Sequence, residues 1–409
     1  MKTVGIIAEY NPFHNGHRYQ IQQVKQMTGA DFVIVLMSGN FVQRGTPAIV
    51  DKYTRCTMAL EGGADMVFEL PAFFATSSAE AFAYGAISIF HKLGFIDEIC
   101  FGCETPDLSL LSTIADLLLL EPKEYRENLT TYQKQGFSYP AARQKALIAY
   151  FEQHPIHAFS SNQWTNCIEQ PNNILGIAYI QALKTLQSSI TPVPIQRTGN
   201  AFHSTTIEGT FASATAIRKS CISDTNLQSL QSVVPPYVLS ALHSKLKKTF
   251  PITENDFSSL LYYKLQQEKE YINYADITED FANKLQKTFS FHENFTTLVE
   301  RLKTKDLVYT RICRNLLHIL LEITKEEPKW NPEYVRLLGF KKSSSSLLKR
   351  TEAISVITKV ADARKHLSEE AFSYFQKDIR ISHLYNHICY EKYGYHCKSE
   401  YEQGPIILS

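Results

Sequence analysis

The chain has 409 residues, of which 44% are hydrophobic and 20% are charged, with a formal net charge of +1. This is an ordinary globular composition, and the length predicts two domains because it exceeds what one hydrophobic core usually supports. The sequence contains no run of about 20 apolar residues, which a membrane-spanning helix requires, and its start lacks the regions of a secretory signal. The eight cysteines are mostly isolated in apolar sequence, which favours reduced thiols and a cytoplasmic location.

Short apolar runs alternate with amphipathic segments in the first half of the chain, which indicates βαβ units. The first two runs are almost wholly apolar, as is typical of strands covered by helices on both faces. The predicted strands are Thr3–Ala8, Phe32–Met37, Met66–Glu69, Ile96–Phe101, Ile156–Ser160 and Pro192–Arg197, and a helix is predicted over Asn173–Leu186. This pattern predicts an α/β fold with a Rossmann-like, doubly wound parallel sheet.

From about residue 226 the periodicity becomes helical and few strand signals remain. The predicted helical segments are Leu230–Leu246, Phe257–Gln267, Phe281–Leu285 and Tyr309–Ile323. Ser343–Ser346 indicates a turn or loop, with a helix resuming at Leu347–Lys349. We therefore expect an α/β domain over residues 1–225 and a mostly α-helical domain over residues 226–409.

Charge is unevenly distributed along the chain. Residues 1–240 carry 16 Lys and Arg against 19 Asp and Glu, a net charge of −3, whereas residues 301–365 carry 15 against 7, a net charge of +8. A basic segment in an otherwise neutral chain suits a surface that contacts a phosphate backbone. A solvated helix surface explains the charge alone equally well.

The most informative segment is His14-Asn15-Gly16-His17, which follows the first predicted strand through a Pro-containing turn. At the start of a helix, His14 and His17 are three residues apart and project toward one point above the strand ends. Gly16 removes a side chain that would block a nucleotide, and a helix N-terminus stabilises an anion. Two histidines at this spacing can equally be a metal pair or surface residues. Their position after the first strand, with the glycine in place, leads us to predict that they face the phosphates of a nucleotide.

This segment resembles the HxGH signature of the nucleotidylyl transferase superfamily. Further motifs follow in an order similar to that of one subfamily, the tRNA(Met) cytidine acetate ligases. These motifs are Met37–Ala48, Asp51–Arg55, Glu69–Pro71, Phe101–Glu104, Pro171–Gly176, Ser213–Arg218, Leu316–Leu321 and Tyr334–Phe340. The resemblance implies an HxGH-type fold and an enzyme that uses ATP and acetate to make N4-acetylcytidine at the wobble position of elongator tRNA(Met).

The resemblance also implies roles for individual residues. In the family pattern, His14 and His17 stabilise the phosphates of ATP, while Ser213 and Arg218 hold the leaving pyrophosphate. The remaining ATP-binding residues would be Ile7, Ala8, Glu9, Tyr10, Asn11, Pro12, Phe13, Asn15, Gly16, Arg18, Tyr19, Gln20, Gly102, Asn172, Asn173, Arg197 and Thr198. One of Asn172 and Asn173 would contact ATP and the other can be a helix N-cap, and the sequence does not distinguish them.

The segment after the second predicted strand supplies a further candidate site. Ser38, Gly39 and Asn40 form a small shelf on which acetate or the α-phosphate would rest, and Lys52 offers a charge-assisted contact. A solvated loop is the alternative interpretation of these residues. Mg²⁺ is expected to enter with ATP by bridging its phosphate oxygens.

Two patterns of potential metal ligands occur in the sequence. Cys100 and Cys103 form a single CxxC, but Cys100 lies in an apolar run, so packing is the favoured interpretation. The second pattern comprises His383, His387, Cys389, His396 and Cys397. Its spacing matches no standard zinc site and packing is again favoured, so no metal-binding residue is predicted.

The implied reaction requires activation because acetate is a poor electrophile and the cytosine N4 amino group is a weak nucleophile. Acetate would attack the α-phosphorus of ATP to give acetyl adenylate and pyrophosphate, and N4 would then attack the acyl carbon and release AMP. The basic segment, with its interleaved aromatic residues, suits an anticodon stem-loop. The predicted tRNA-binding residues are Arg311, Arg314, Arg336, Lys341, Lys342 and Lys349.

Two other functions remain open from the sequence alone. A nucleotidylyl transferase acting on a small phosphorylated substrate would share the HxGH site but would bind no RNA. A nucleotide-sensing RNA-binding protein would bind both ligands without turning over ATP, so ATP consumption distinguishes it from an enzyme.

Overall fold

The computed structural model describes residues 1–155, 158–197, 209–224, 226–289, 293–304, 307–351 and 353–409. The strands in these residues are β1 (Thr3–Ala8), β2 (Phe32–Ser38), β3 (Phe41–Val42), β4 (Thr46–Pro47), β5 (Met66–Leu70), β6 (Glu98–Cys103), β7 (Thr191–Gln196), β8 (Tyr334–Lys341), β9 (Ser355–Ile357) and β10 (Ile406–Leu408). Five predicted strands are present, with ends shifted by at most two residues. In the predicted strand Ile156–Ser160, residues 156 and 157 lie outside the described residues and the other three are not in a strand.

The main sheet has the strand order β10-β8-β5-β2-β1-β6-β7, and β9 also pairs with β8. Strand β1 is parallel to β2 on one side and to β6 on the other, and β5 and β7 continue the sheet outward in parallel. The chain therefore winds outward from β1 in both directions. This topology leaves a crevice above the carboxyl ends of β1 and β6, where doubly wound sheets bind ligands, and it confirms the predicted fold class.

Helices cover both faces of the sheet. The helices are α1 (Asn15–Thr28), α2 (Lys52–Glu61), α3 (Ala72–Ala75), α4 (Ala79–Leu93), α5 (Leu108–Leu120), α6 (Lys123–Lys134), α7 (Tyr139–Gln153), α8 (Ser161–Glu169), α9 (Pro171–Thr185), α10 (Ala214–Ser223), α11 (Pro236–Lys245), α12 (Ser258–Gln267), α13 (Glu279–Thr288), α14 (Phe295–Leu302), α15 (Tyr309–Leu320) and α16 (Glu369–Tyr393). Alternate residues of β2 belong to different cores, since Ile34 and Leu36 pack on one face and Val33 and Val35 on the other. No helix in the described ranges has the length and apolar character that a bilayer crossing needs.

The C-terminal half is mostly helical, but it also completes the sheet. Strand β8 pairs antiparallel to β5, and β10 adds a further edge strand. The sequence does not predict β8 because a short apolar run is compatible with either a strand or a buried helix. Residues Lys342–Arg350, where the sequence indicates a loop and then a helix, form one 3₁₀ helix. A division near residue 225, which stays a prediction, would separate segments that share one sheet.

A buried charge network joins α2 to the C-terminal segment. The Lys52 ammonium is 1% exposed and lies 2.7 and 2.9 Å from the two carboxylate oxygens of Glu69, 2.8 Å from Ser382 Oγ and 3.2 Å from Glu400 Oε1. Arg336 pairs with the other carboxylate oxygen of Glu400. Burial raises the pKa of Glu400, but the charges of Lys52 and Arg336 outweigh it and lower the pKa to about 2.

We expect a Glu400→Gln variant to lose about 3 kcal/mol of unfolding free energy, because the substitution removes the buried carboxylate that pairs with both Lys52 and Arg336. Urea unfolding followed by circular dichroism measures the loss. Glu402→Gln is the matched control, since Glu402 is exposed in the same segment, and it should change stability by no more than about 0.5 kcal/mol. Equal losses in the two variants would contradict the role of the network.

Candidate active site

The carboxyl end of β1 leads into α1, whose N-cap is His14. The Nδ1 atom of His14 accepts a hydrogen bond from Gly16 N at 3.1 Å, and His17 Nδ1 accepts one from His14 N at 3.3 Å. The two imidazoles therefore form a reciprocal capping box, a role that Ser or Thr and Glu or Gln usually fill. A Cβ at Gly16 would lie 2.9 Å from His14 Cε1, so the glycine makes room for the capping ring.

The rings of His14 and His17 stack, with centroids 3.6 Å apart and planes inclined by 20°. Because each Nδ1 accepts a backbone hydrogen bond, each neutral ring carries its proton on Nε2. Tyr10 packs against His17, with ring centroids 4.8 Å apart, and fixes its orientation. The site therefore offers two adjacent Nε2–H donors above the end of β1.

Both histidines are neutral near pH 7. Burial, aided by the charges of Arg197 and Arg218, lowers the pKa of His14 to about 3. Burial and the neighbouring His14 ring lower the pKa of His17 well below its usual value of 6.5. The positive charge at this end of the sheet therefore comes from arginines, while the imidazoles act as uncharged donors.

Acidification is expected to destabilise the protein through His14. The unfolded chain binds a proton at this residue below about pH 6.5, whereas the folded chain binds it only near pH 3. Stability therefore rises with pH across this window and is lost as the pH falls through it. A His14→Asn variant lacks this titration and should lose less unfolding free energy than the wild type between about pH 7 and about pH 5. Urea unfolding at both pH values measures this, and equal losses would contradict it.

Helix α10 brings a second set of groups to the same crevice. Ser213 is its N-cap and accepts a hydrogen bond at Oγ from the backbone N three residues later, at 3.0 Å. Arg218 donates to Asn11 O at 3.0 Å and to Thr215 Oγ1 at 3.2 Å. Burial, with the charge of Arg44, lowers the pKa of Arg218 to about 10, so the guanidinium stays charged at neutral pH.

Arg197 reaches the crevice from the β6 side. Its backbone N donates to Cys103 O at 3.0 Å, and its Nη1 donates to Asn172 Oδ1 at 3.4 Å. A Cβ at Gly102 would lie 3.1 Å from Arg197 Cγ, so this glycine makes room for the arginine side chain. Thr198, which the resemblance places beside Arg197 in the ATP site, lies outside the described residues.

The two adjacent asparagines have different surroundings. Asn173 is fully buried, and its Oδ1 accepts hydrogen bonds from the backbone N of Glu104 and Thr105 at 2.9 and 3.0 Å. Asn172 is partly exposed and lies between Glu104 and Arg197. The structure therefore places Asn172 toward the crevice and uses Asn173 as a structural link. Glu104 was missed as an orienting residue, although its position directly after β6 is a signal for one.

The other residues of the predicted ATP-binding segment differ in their exposure to solvent. Residues Tyr10–Phe13 are buried, whereas Arg18 is exposed on α1. Asn15 anchors the start of α1, because its side chain donates to Thr210 O and Ser232 O at 3.0 and 2.9 Å.

The predicted shelf after β2 is present, but Lys52 does not extend from it as an unpaired cation. Asn40 Oδ1 accepts from Lys52 N at 2.9 Å, and Gly39 lies against Glu69, whose Oε1 would be 2.5 Å from a Cβ. The Ser38 hydroxyl is buried and has no hydrogen-bond partner among the described residues. The Lys52 ammonium is already surrounded by carboxylates, and this placement does not favour the predicted contact with acetate or phosphate.

Arg55, in the same motif, binds the backbone. It is fully buried, and its guanidinium donates to Glu9 O at 2.6 Å, to Ser38 O and Val50 O at 3.0 Å each, and to Gly39 O. The arginine therefore holds together the loops that leave β1 and β2.

Two of the predicted tRNA-binding residues lie on the active-site side. Arg311 and Arg314 are three residues apart on α15 and share one face. The backbone of Arg314 packs against Gly45, where a Cβ would lie 2.2 Å from Arg314 N. Arg44, which precedes Gly45 in the chain, is close enough to Arg218 to lower the pKa of the Arg218 guanidinium. Basic groups therefore extend from the crevice to α15.

The other predicted tRNA-binding residues lie elsewhere. Arg336 is 6% exposed and pairs with Glu400, a placement that does not favour contact with RNA. Lys341 lies at the opposite, amino-terminal edge of the parallel strands, where its backbone N donates to Asp65 O at 2.8 Å. Lys342 begins the 3₁₀ helix that carries Lys349, and both are exposed.

The His and Cys side chains that the sequence offers as candidate metal ligands have other contacts in the structure. Within the residues that are described, no three His, Cys, Asp or Glu side chains group as metal ligands would. His387 pairs with Glu391 at 3.1 Å, and His396 packs on a tyrosine ring. Cys100 and Cys103 belong to the cores on opposite faces of the sheet.

The doubly wound sheet, the stacked histidine pair at the start of α1 and the arginines beside it define a nucleotidyl transferase of the HIGH class. In agreement, residues 1–400 match the family model described as HIGH Nucleotidyl Transferase. The tRNA(Met) cytidine acetate ligase of Thermoanaerobacter sp. (strain X514) is 40% identical over 391 residues, which cover 94% of this chain and 95% of that protein. The enzyme of the same name from Clostridium novyi (strain NT) is 35% identical, and the match covers 100% of both chains. The chain belongs to the tRNA(Met) cytidine acetate ligase family.

Solved structures agree with this assignment. The apo crystal structure (form I) of Thermotoga maritima TmcAL has a TM-score of 0.93 at 28% identity, with 100% of both chains covered. A second crystal structure of that protein, bound with alpha-thio ATP, has a TM-score of 0.90 at the same identity and coverage.

Proposed function

We propose that the protein is an ATP-dependent ligase that activates acetate as acetyl adenylate and transfers the acetyl group to N4 of the wobble cytidine of elongator tRNA(Met). The observation that carries the proposal is the stacked, neutral pair His14 and His17, flanked by the cations Arg197 and Arg218. The names of the relatives supply acetate and a cytidine of tRNA(Met) as substrates. A related protein also binds an ATP analogue.

Each group has a place along the triphosphate of ATP. The Nε2–H groups of His14 and His17 donate to oxygens at the α-phosphate. The amino end of α10, capped by Ser213, and the Arg218 guanidinium hold the β- and γ-phosphates, because helix N-termini and arginines stabilise anions. Asn172, with Arg197, faces the nucleoside end from the β6 side.

In the first step, an acetate oxygen attacks the α-phosphorus, the bond to the bridging oxygen breaks, and pyrophosphate leaves. Negative charge grows on the α-phosphate oxygens and on the leaving group. The two imidazoles donate hydrogen bonds to the α-phosphate oxygens, and Arg218 neutralises the leaving pyrophosphate. Because the imidazoles are neutral in the free protein, they stabilise charge by hydrogen bonding without giving up a proton.

The acetate contact is assigned to Ser38, since the buried hydroxyl lacks a partner among the described residues and stands at the end of β2, beside β1. Mg²⁺ bound to the phosphates of ATP would supply charge neutralisation there.

In the second step, the cytosine N4 attacks the acyl carbon, the bond from this carbon to the AMP oxygen breaks, and N4 loses a proton. The cytidine must reach the carboxyl edge of β1, so the RNA approaches from the side that carries Arg44, Arg311 and Arg314. Arginine side chains there can contact phosphates and stack on unpaired bases.

Nucleoside mass spectrometry tests the proposal. Bulk bacterial tRNA is incubated with the purified protein, ATP, Mg²⁺ and isotopically labelled acetate, and label in N4-acetylcytidine is the expected result. Conversion of ATP to pyrophosphate without labelled RNA would overturn the RNA acceptor and favour a small-molecule acceptor. Absence of ATP turnover would overturn the ligase and favour a nucleotide sensor.

A further inference from the structure

Two cysteines that the proposed reaction does not use lie together where α16 ends. Helix α16 stops at Tyr393, and Gly394, with φ 66°, turns the chain back beside the last helical turn. This turn packs Cys397 against the apolar core that contains Cys389, and each thiol affects the pKa of the other. Two cysteines eight residues apart in sequence are thus brought together.

The two thiols differ in their access to solvent. Cys389 is fully buried, and its sulfur lies 3.9 Å from Thr249 O. Cys397 is partly exposed and lines a cavity of about 410 Å³ between α2, α11 and the C-terminal segment. The cavity wall also contains Lys245 and Lys398. A small molecule that enters this cavity meets Cys397 first and has Cys389 directly behind it.

The difference in exposure assigns Cys397 as the attacking thiol and Cys389 as the resolving one, and the electrostatics of the pair agree. The hydrogen bond from Cys389, with the charge of Lys245, lowers the pKa of Cys397, whereas burial and Asp51 oppose this change. The same hydrogen bond and burial raise the pKa of Cys389. The thiolate, which is the reactive form, is therefore favoured on the accessible sulfur.

We propose that Cys389 and Cys397 are a redox-active dithiol that forms a reversible disulfide on reaction with a low-molecular-weight disulfide. The Cys397 thiolate attacks one sulfur of the small disulfide, the S–S bond of that molecule breaks, and its first half leaves as a thiolate that takes up the proton lost by Cys397. The Cys389 sulfur then loses its proton to the second half, which leaves as a thiol when Cys389 attacks the mixed disulfide. Two protein thiols are oxidised, and one small disulfide is reduced to two thiols.

The disulfide would act on the segment that completes the buried charge network. Only two residues separate Cys397 from Glu400, whose carboxylate lies between Lys52 and Arg336. Closing the ring from residue 389 to residue 397 would tie this segment to α16. The proposal does not depend on the reaction at His14, so it can fail without affecting the proposed function.

Peptide mapping tests the proposal on the full-length protein. The folded chain is treated with oxidised glutathione, remaining thiols are blocked with N-ethylmaleimide, and the protein is digested with trypsin without reduction. Cleavage after Lys392 separates the two cysteines, so the disulfide appears as a link between the peptides 381–392 and 393–398. We expect this linked species, and a fall of about tenfold in labelling of Cys397, both reversed by dithiothreitol.

Single substitutions sharpen the experiment. Cys389→Ser should trap glutathione on Cys397, and Cys397→Ser should give no linked peptide. Cys100→Ser is the matched control and should leave the link unchanged, because Cys100 lies in β6 and its thiol donates to Val193 O at 3.3 Å, away from the pair. Wild-type protein that carries glutathione on Cys397 while Cys389 stays alkylatable after unfolding would overturn the proposal. Failure of Cys397 to react in the folded chain would overturn it as well.

Discussion

A His14→Asn variant should keep its fold and lose about 100-fold in the rate of acetyl-adenylate formation. Asparagine is a favourable N-cap, so it can accept the Gly16 N–H that the imidazole accepts now. Asparagine cannot reproduce the Nε2–H donor of His14, which lies beside the Nε2–H donor of His17 in the stacked pair. The loss should therefore fall on the transition state rather than on stability. Acetate-dependent exchange of labelled pyrophosphate into ATP measures it.

His91→Asn is the control for this experiment, because His91 is exposed at the far end of α4 and should leave exchange unchanged. Thermal unfolding of both variants establishes that they are folded. A folded His14→Asn protein with the wild-type exchange rate would contradict the role given to the histidine pair.

Substituting Arg311 and Arg314 together with glutamine should weaken tRNA binding by about tenfold or more, while adenylate formation stays unchanged. Both residues lie on α15, and the backbone of Arg314 packs against Gly45, the loop position that follows Arg44. The ion pair between Arg314 and Asp276 is long, at 3.4 Å, and partly exposed. Removing the arginine should therefore cost little stability. Loss of two phosphate contacts should also reduce the salt dependence of binding by a slope of about two.

The matched pair for this test is Lys342→Gln with Lys349→Gln, which removes the same charge from the 3₁₀ helix after β8. Filter binding with tRNA across a range of salt concentrations compares the two double variants. A larger effect at Lys342 and Lys349 than at Arg311 and Arg314 would show that the RNA approaches from elsewhere and would overturn the orientation proposed above.

The central fold could be predicted because its signals are local. The run Thr3–Ala8 is apolar on both faces, and a strand forms over those same residues. The start of α1 follows from the HxGH segment itself, whose histidines cap the helix through hydrogen bonds that span only two and three residues. The grouping of Ser213 and Arg218 with these histidines depended on the family resemblance.

The surroundings of charged residues could not be predicted, because their partners are distant in sequence. The sequence predicts an anion contact for Lys52, yet Ser382, which the ammonium contacts, is 330 residues away. The sequence places Arg336 in a basic, RNA-binding surface, but the side chain is buried with Glu400, 64 residues later. The +8 segment therefore mixes buried and exposed cations, which a count of charges cannot separate.

The buried charge network also determines which parts of the chain can fold before translation is complete. Tyr53 donates its hydroxyl to Glu400, which the ribosome adds 347 residues later. Parallel strands made early, from β1 to β7, can associate while translation continues, since segments near the N-terminus fold first. The interior around Lys52 cannot dehydrate until its last carboxylate has emerged. A nascent chain that stalls before residue 400 would therefore hold a nearly complete sheet in which Lys52 and Arg336 have lost the carboxylate that lies between them and only Glu69 pairs with Lys52. Chaperones and proteases can distinguish this state from the finished protein.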